Sequence, residues 1–151
     1  KTEVMRDRIL EINPKADVRI HKCFFLPENA DEFPFDEYDY IVDAVDTVTA
    51  KIELVMKANE MNIPIISSMG TGNKLDPTHL QITDIYKTKI DPLAKVMRRE
   101  LKARRIKKCL VAYSDEIPAK TGQRTPGSSV FVPASAGLMI AGYVFHSLIG
   151  G

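Results

Sequence analysis

The order of apolar segments in this chain predicts an α/β domain. Tyr40-Ile41-Val42 and Ile63-Pro64-Ile65-Ile66 are short apolar runs of strand type, and the stretch between them repeats at helical spacing. Strand, helix and strand at that separation imply a parallel crossover unit. The 151 residues, 44% hydrophobic and 27% charged, suffice for one folded core and exclude a disordered chain or a coiled coil. No internal repeat or linker divides them, so residues 1–151 are read as a single domain.

The elements follow in order. Met5, Ile9 and Ile12 recur at helical spacing until Asn13-Pro14 ends the run, because proline disfavours helical backbone in the residue before it. Asp17 to Leu26 alternates and is rich in Val, Ile and Phe, which predicts a strand from Val18 to Leu26. An acidic loop, Glu28 to Glu37, leads into the strand Tyr40 to Val42. From Val48 to Asn62, Ile52, Val55 and Met56 form one helical face, and Ile63 to Ile66 is the next strand. Gly70 to Pro77 is a loop punctuated by glycine, asparagine and proline, and Leu80 to Ile85 alternates like a half-exposed strand. Asp91-Pro92 opens a helix, with Asp as cap and Pro in the first turn. Leu93, Val96, Met97 and Leu101 face inward there, and Lys95, Arg98, Arg99, Lys102 and Arg105 face outward. Lys108 to Tyr113 is a strand, Glu116 to Ser128 a polar loop, and Pro133 to Ile149 a final helix. Its apolar part, Ala134 to Ile149, is shorter than the roughly 20 residues of a spanning helix and is interrupted by His146 and Ser147, so it reads as a core helix.

Charge and cysteine content remove several chemistries. Lys plus Arg number 21 against 20 Asp plus Glu, so a net charge of +1 provides no whole-molecule field for nucleic acid or anionic lipid. Any such binding must come from a local patch, and the outward basic face from Lys95 to Lys108 is the one concentration; it is either a solvated helix face or a contact for an RNA backbone. Cys23 and Cys109 are far apart, form no Cys-x-x-Cys pair, and read as small buried hydrophobes, which fits a reducing cytoplasm. His21, His79 and His146 are isolated and are assigned to structure or surface, with no zinc site.

Two spots invite a ligand. Asp43-Ala44-Val45-Asp46 directly follows a strand and precedes a helix, where open parallel sheets form their ligand crevice. Asp46 there either holds a metal ion on a bound phosphate or caps the helix. Ser67-Ser68-Met69-Gly70-Thr71-Gly72 leaves the next strand without the spacing of either phosphate fingerprint, and reads as a small-residue exit loop or a substrate contact.

Several segments together resemble the ubiquitin-activating-enzyme-like superfamily of ATP-dependent adenylating enzymes, which includes the thiamine- and molybdopterin-biosynthesis adenylyltransferases. Lys1-Thr2-Glu3-Val4 running to Ile12-Asn13-Pro14 is similar to its helix that begins with a catalytic lysine, and Tyr40 to Asp46 to its strand ending in a magnesium-associated aspartate. Gly72-Asn73-Lys74-Leu75-Asp76-Pro77, the stretch Asp84 to Leu93 and Arg124-Thr125-Pro126-Gly127-Ser128 resemble the branch that cyclises threonylcarbamoyladenosine in tRNA. Thr47 departs from the broader pattern, where many relatives have Asn.

The resemblance implies a Rossmann-like adenylating domain with a mixed sheet and flanking helices, lacking its N-terminal nucleotide-binding portion. It implies ATP and Mg2+ as cofactors, Lys1 on the ATP phosphates and Asp46 on magnesium. It also implies ligase-type activation of a carboxylate on tRNA, with a homodimer and a sulfur-carrier or sulfurtransferase protein as further partners. The alternative readings are an adenylyltransferase acting on the C-terminus of a ubiquitin-like sulfur carrier, and a non-catalytic binding or oligomerisation fragment. Because the chain opens at Lys1 in mid-helix, it is expected to be a C-terminal fragment that binds ATP poorly alone, is inactive by itself and self-associates.

Overall fold

The computed structural model describes residues 1–122 and 125–150. Its strands β1 (Ile41–Asp43), β2 (Ile65–Ser68), β3 (Leu80–Asp84) and β4 (Leu110–Ser114) form one mixed sheet in the order β1-β2-β4-β3. β1, β2 and β4 are parallel, with Asp43 beside Ser67 and Ser68 beside Ala112, so their carboxyl ends share one edge. β3 runs antiparallel to β4, pairing Leu80 with Ser114 and Asp84 with Leu110. The helices are α1 (Thr2–Ile12), α2 (Val48–Glu60), α3 (Pro92–Ala103) and α4 (Phe131–Ile149).

The strand alternation sorts side chains between the two faces. On one, Val111 and Tyr113 pack with Val55 of α2 and with Ala94, Met97 and Leu101 of α3. On the other, Ile66 and Ala112 meet Ile140 of α4. A third cluster of Phe35, Ile41 and Ala58 carries Phe25 and Phe33, with Phe25 edge-on to both Phe33 and Phe35. α3 starts where the sequence places it: the Asp91 carboxylate accepts the Ala94 N–H at 2.7 Å, and proline follows at the first position.

Three features of the molecule depart from the pattern its sequence predicts. Val18 to Leu26 forms no strand: Val18 and Ile20 are half-buried between exposed neighbours, yet among the described residues no ladder pairs them with another segment. Alternation sets which way side chains point, but a strand exists only through a partner's ladder. Cys23 is exposed, because the segment that carries it, with Phe24, lies outside the sheet; Cys109, in contrast, is buried as expected. α4 is not a core helix. Only Val132, Ala136 and Ile140, a single stripe at four-residue spacing, are buried. It begins at Phe131, ahead of the expected start, because proline is tolerated in a first turn and the Ser129 hydroxyl accepts the Val132 N–H at 3.3 Å. At 19 residues it is long and apolar enough to cross a membrane by length and composition, although Ile140 of its buried stripe packs on the sheet.

Candidate functional site

The carboxyl ends of β1 and β2 open into a cleft of about 550 Å³. Its walls are the turn Ala44 to Asp46, the exit loop Ser68 to Gly72, Pro126 to Ser128, and the small residues Ala136, Gly137 and Ala141 of α4. The two spots singled out in the sequence thus face one space.

Asp46 is exposed and lines this cleft, and among the described residues it has neither a hydrogen-bond nor an ion-pair partner. The capping alternative fails: the N-cap of α2 is Thr47, and no side chain closes that helix end. The chain extends one residue beyond Asp46 before turning helical, and among the described residues no first-turn N–H bonds to the Asp46 carboxylate. No group of three or more His, Cys, Asp or Glu suited to a metal lies among the described residues. Magnesium does not need one, since it keeps several waters and commonly takes one or two carboxylates plus substrate phosphates. The Asp46 carboxylate, in a cleft that Ser68 and Thr71 also line, fits that donor set.

Lys1 is the exposed N-cap residue of α1 and is not among the residues lining the cleft. The structure therefore does not bring it into the same lining as Asp46. The basic face of α3 divides. Lys95 and Lys102 are exposed, Arg105 is exposed but lies past the helix's last residue Ala103 at a φ of 61° and so is not on its face, Arg99 pairs with Glu100 at 2.8 Å, and Arg98 turns inward to donate to the Thr88 carbonyl at 3.0 Å and to the Thr88 hydroxyl. Arg124 lies outside the described residues.

Beneath the cleft are two buried lysines that periodicity did not single out. Lys51 donates to both Asp43 oxygens at 3.2 Å and to the Ser68 carbonyl at 2.7 Å. Asp43 also accepts the Ser67 hydroxyl and, at 3.1 Å, the Val45 N–H. Lys74 donates to the Ser114 carbonyl at 2.6 Å and lies 3.7 Å from Asp91, whose Oδ2 is buried without a hydrogen bond. The available signal was position: Lys51 stands four residues before Val55 on the buried stripe of α2.

The motif segments Gly72 to Pro77 and Pro126 to Ser128 meet at the cleft mouth. Asn73, at a φ of 58°, receives the Gly127 N–H on its side chain at 2.6 Å and donates its own N–H to the Gly127 carbonyl at 2.8 Å. A Cβ at Gly72 would lie 2.8 Å from the Pro126 Cβ, so glycine is what lets the two loops close. The Glu116 carboxylate accepts the Leu75 and Asp76 N–H groups at 2.9 and 3.0 Å, fixing the next turn. Neither cysteine lines the cleft, and burial first, then Asp43 and Asp84, pushes the Cys109 thiol up to about 12, which keeps it protonated.

The model of the ThiF family matches residues 1–151. The chain is 39% identical, over 167 residues, to a tRNA threonylcarbamoyladenosine dehydratase of Bacillus subtilis, covering 99% of this chain and 66% of that protein. It is 39% identical over 103 residues to the Escherichia coli protein of the same name, covering 68% of this chain and 38% of that one. Among solved structures it is similar to E. coli tRNA N6-threonylcarbamoyladenosine dehydratase in complex with AMP, with a TM-score of 0.89, 29% identity, and 99% of this chain and 64% of that chain covered. The same enzyme in complex with ATP matches with a TM-score of 0.76 at 30% identity, covering 95% and 65%. The chain thus spans less than two thirds of the solved chain lengths it matches in these two complexes.

Proposed function

The chain belongs to the ThiF family, and from that premise we propose that its cleft serves ATP-dependent cyclisation of threonylcarbamoyladenosine in tRNA. The observation that carries the reading is Asp46, an exposed carboxylate without a partner among the described residues, at the carboxyl edge of a parallel sheet. The names of the relatives, and the AMP and ATP bound in solved structures of one of them, support it.

The chemistry is that of a ligase-type dehydration. A carboxylate oxygen of the threonine moiety attacks the α-phosphorus of ATP and pyrophosphate leaves. A nucleophile of the same modified base then attacks the acyl adenylate, the ring closes and AMP leaves, so water is lost overall at the expense of ATP. Bound magnesium would neutralise phosphate charge, and Asp46 is the residue of this chain that would hold it. The Ser68 to Gly72 loop presents small side chains and backbone to the ligand, and the loops joined by Asn73 hold the cleft mouth in shape. Lys1 enters the proposal as a phosphate contact by resemblance alone. The exposed cations Lys95, Lys102 and Arg105 are proposed to meet the tRNA backbone, and the bare face of α4 a second copy. The cytoplasm suits two free thiols.

The test is Asp46→Asn in the enzyme that contains this chain. Among the described residues nothing pairs with the lost charge, so stability is expected to hold while ATP-dependent pyrophosphate release on modified tRNA falls roughly 10- to 100-fold, the range for disturbed metal sites. Unimpaired release would remove Asp46 from the site.

A further inference from the structure

We propose that Lys51 is a positioning residue of this cleft, tying the carboxyl ends of β1 and β2 together so that Asp46 and the Ser68 to Gly72 loop face one ligand. The inference rests on the cleft being the adenylation site and adds a residue to it.

Lys51 reaches the cleft lining from α2 with its side chain 2% exposed, and its partner Asp43 is fully buried. An ammonium has three N–H donors, and here the hydrogen bonds of Lys51 go to Asp43 Oδ1, Asp43 Oδ2 and the Ser68 carbonyl. Lys51 is thus engaged with the fold and not with the open space of the cleft. Its acceptors instead mark the points where two chains leave the sheet. Asp43 is the last residue of β1 and also receives the Val45 N–H, which shapes the turn that delivers Asp46. Ser68 is the last residue of β2, and its carbonyl begins the loop to Gly72. Ser67 clamps the same carboxylate from the neighbouring strand. A single cation thus fixes the separation and orientation of both ligand-facing segments.

Lys74 does the same for β4, donating to the Ser114 carbonyl beside Asp91, but it does not line the cleft. Lys51 is the one of the pair that can set ligand geometry.

The experiment compares Lys51→Met, Lys51→Arg, the double variant Asp43→Asn with Lys51→Met, and Asp46→Asn, all in the enzyme that contains this chain. Lys51→Met alone leaves a buried carboxylate unpaired and is expected to lower the melting temperature. The double variant removes both charges and is expected to melt near the parent while kcat for pyrophosphate release falls roughly 10- to 100-fold, the scale for misplaced reacting groups, with KM for ATP changed less. Lys51→Arg, which keeps a cation beside Asp43, is expected to recover part of that loss. A double variant that folds with the parent's kcat while Asp46→Asn is impaired overturns the positioning role and leaves the cleft reading standing. Parent kcat in Asp46→Asn as well overturns both. If the double variant does not fold, Lys51→Met assayed below its melting temperature carries the test: a lower kcat with the fold intact supports the proposal, and the parent's kcat overturns it.

Discussion

Asp43 and Asp46 lie three residues apart at the end of one strand and have opposite surroundings. Asp43 is buried among an ammonium, a hydroxyl and an N–H, whereas Asp46 stands in solvent at the cleft wall. A buried carboxylate with that many donors is structural, and an exposed one with none among the described residues is available to a ligand. A third environment occurs at His79. Its Nδ1 lies 2.7 Å from the Asp115 carboxylate, which can only accept, so the imidazole donates. That hydrogen bond, with the nearby negative charge of Asp115, Asp76 and Glu116, raises the His79 pKa above its ordinary 6.5 and holds Asp115 below its own. The histidine's contribution to stability is therefore complete below pH 6.5 and fades as pH rises through the higher folded value. An NMR titration of the ring is expected to show a midpoint above 6.5 that falls back toward it in Asp115→Asn. The same midpoint in that variant would refute the coupling.

At the scale of an element, α3 joins a local start signal to a divided outer face. Ala94, Met97 and Leu101 are wholly buried at helical spacing, and Asp91 both caps the helix and faces Lys74. The outer cations look alike in sequence, but Arg98 has two bonds to Thr88, while the side chains of Lys95 and Lys102 have none among the described residues. Arg98→Ala is expected to cost about 1–3 kcal/mol by leaving the buried Thr88 groups without their donor. Lys95→Glu with Lys102→Glu should change stability by no more than about 1 kcal/mol. On the proposed reading, the lysine pair also weakens tRNA binding and flattens its salt dependence, because each lost phosphate contact releases fewer counterions. Unfolding curves and binding at several salt concentrations check both; unchanged affinity and slope in the lysine variant would leave the face merely solvated.

For the whole molecule, the most prominent surface feature is the uncovered side of α4. Leu138 is 76% exposed, Phe145 59% and Leu148 56%, on a helix whose opposite stripe lies on the sheet. α1 adds Val4 and Ile12, and has no buried residue at all. Apolar surface of this extent is characteristic of an interface. The chain is therefore expected to self-associate in light scattering, and Leu138→Lys with Phe145→Lys to shift it toward monomer while leaving Val132, Ala136 and Ile140 in place. A parent chain that is monomeric at all accessible concentrations would refute the expectation.

Read alone, the sequence determined the features that depend on near neighbours: the order of the helices and strands apart from a strand expected at Val18 to Leu26, the Asp91 cap with its proline, and the parallel pairing implied by β1, α2 and β2. Periodicity, caps and turn residues act over a few positions, so they are legible in one dimension. Tertiary structure decided the rest. Lys51 is buried because Ser68, 17 residues on, offers a carbonyl, and Lys74 because Ser114, 40 residues on, does the same. Val18 to Leu26 has strand alternation without a ladder, α4 has apolar residues all round but one buried stripe, and Asp46 resembles a cap while the helix starts beyond it. Apart from Asp46, where the helix simply begins one residue later, the outcome depends on a partner remote in sequence or on its absence. Burial and hydrogen bonding are properties of pairs, and local pattern specifies only one member.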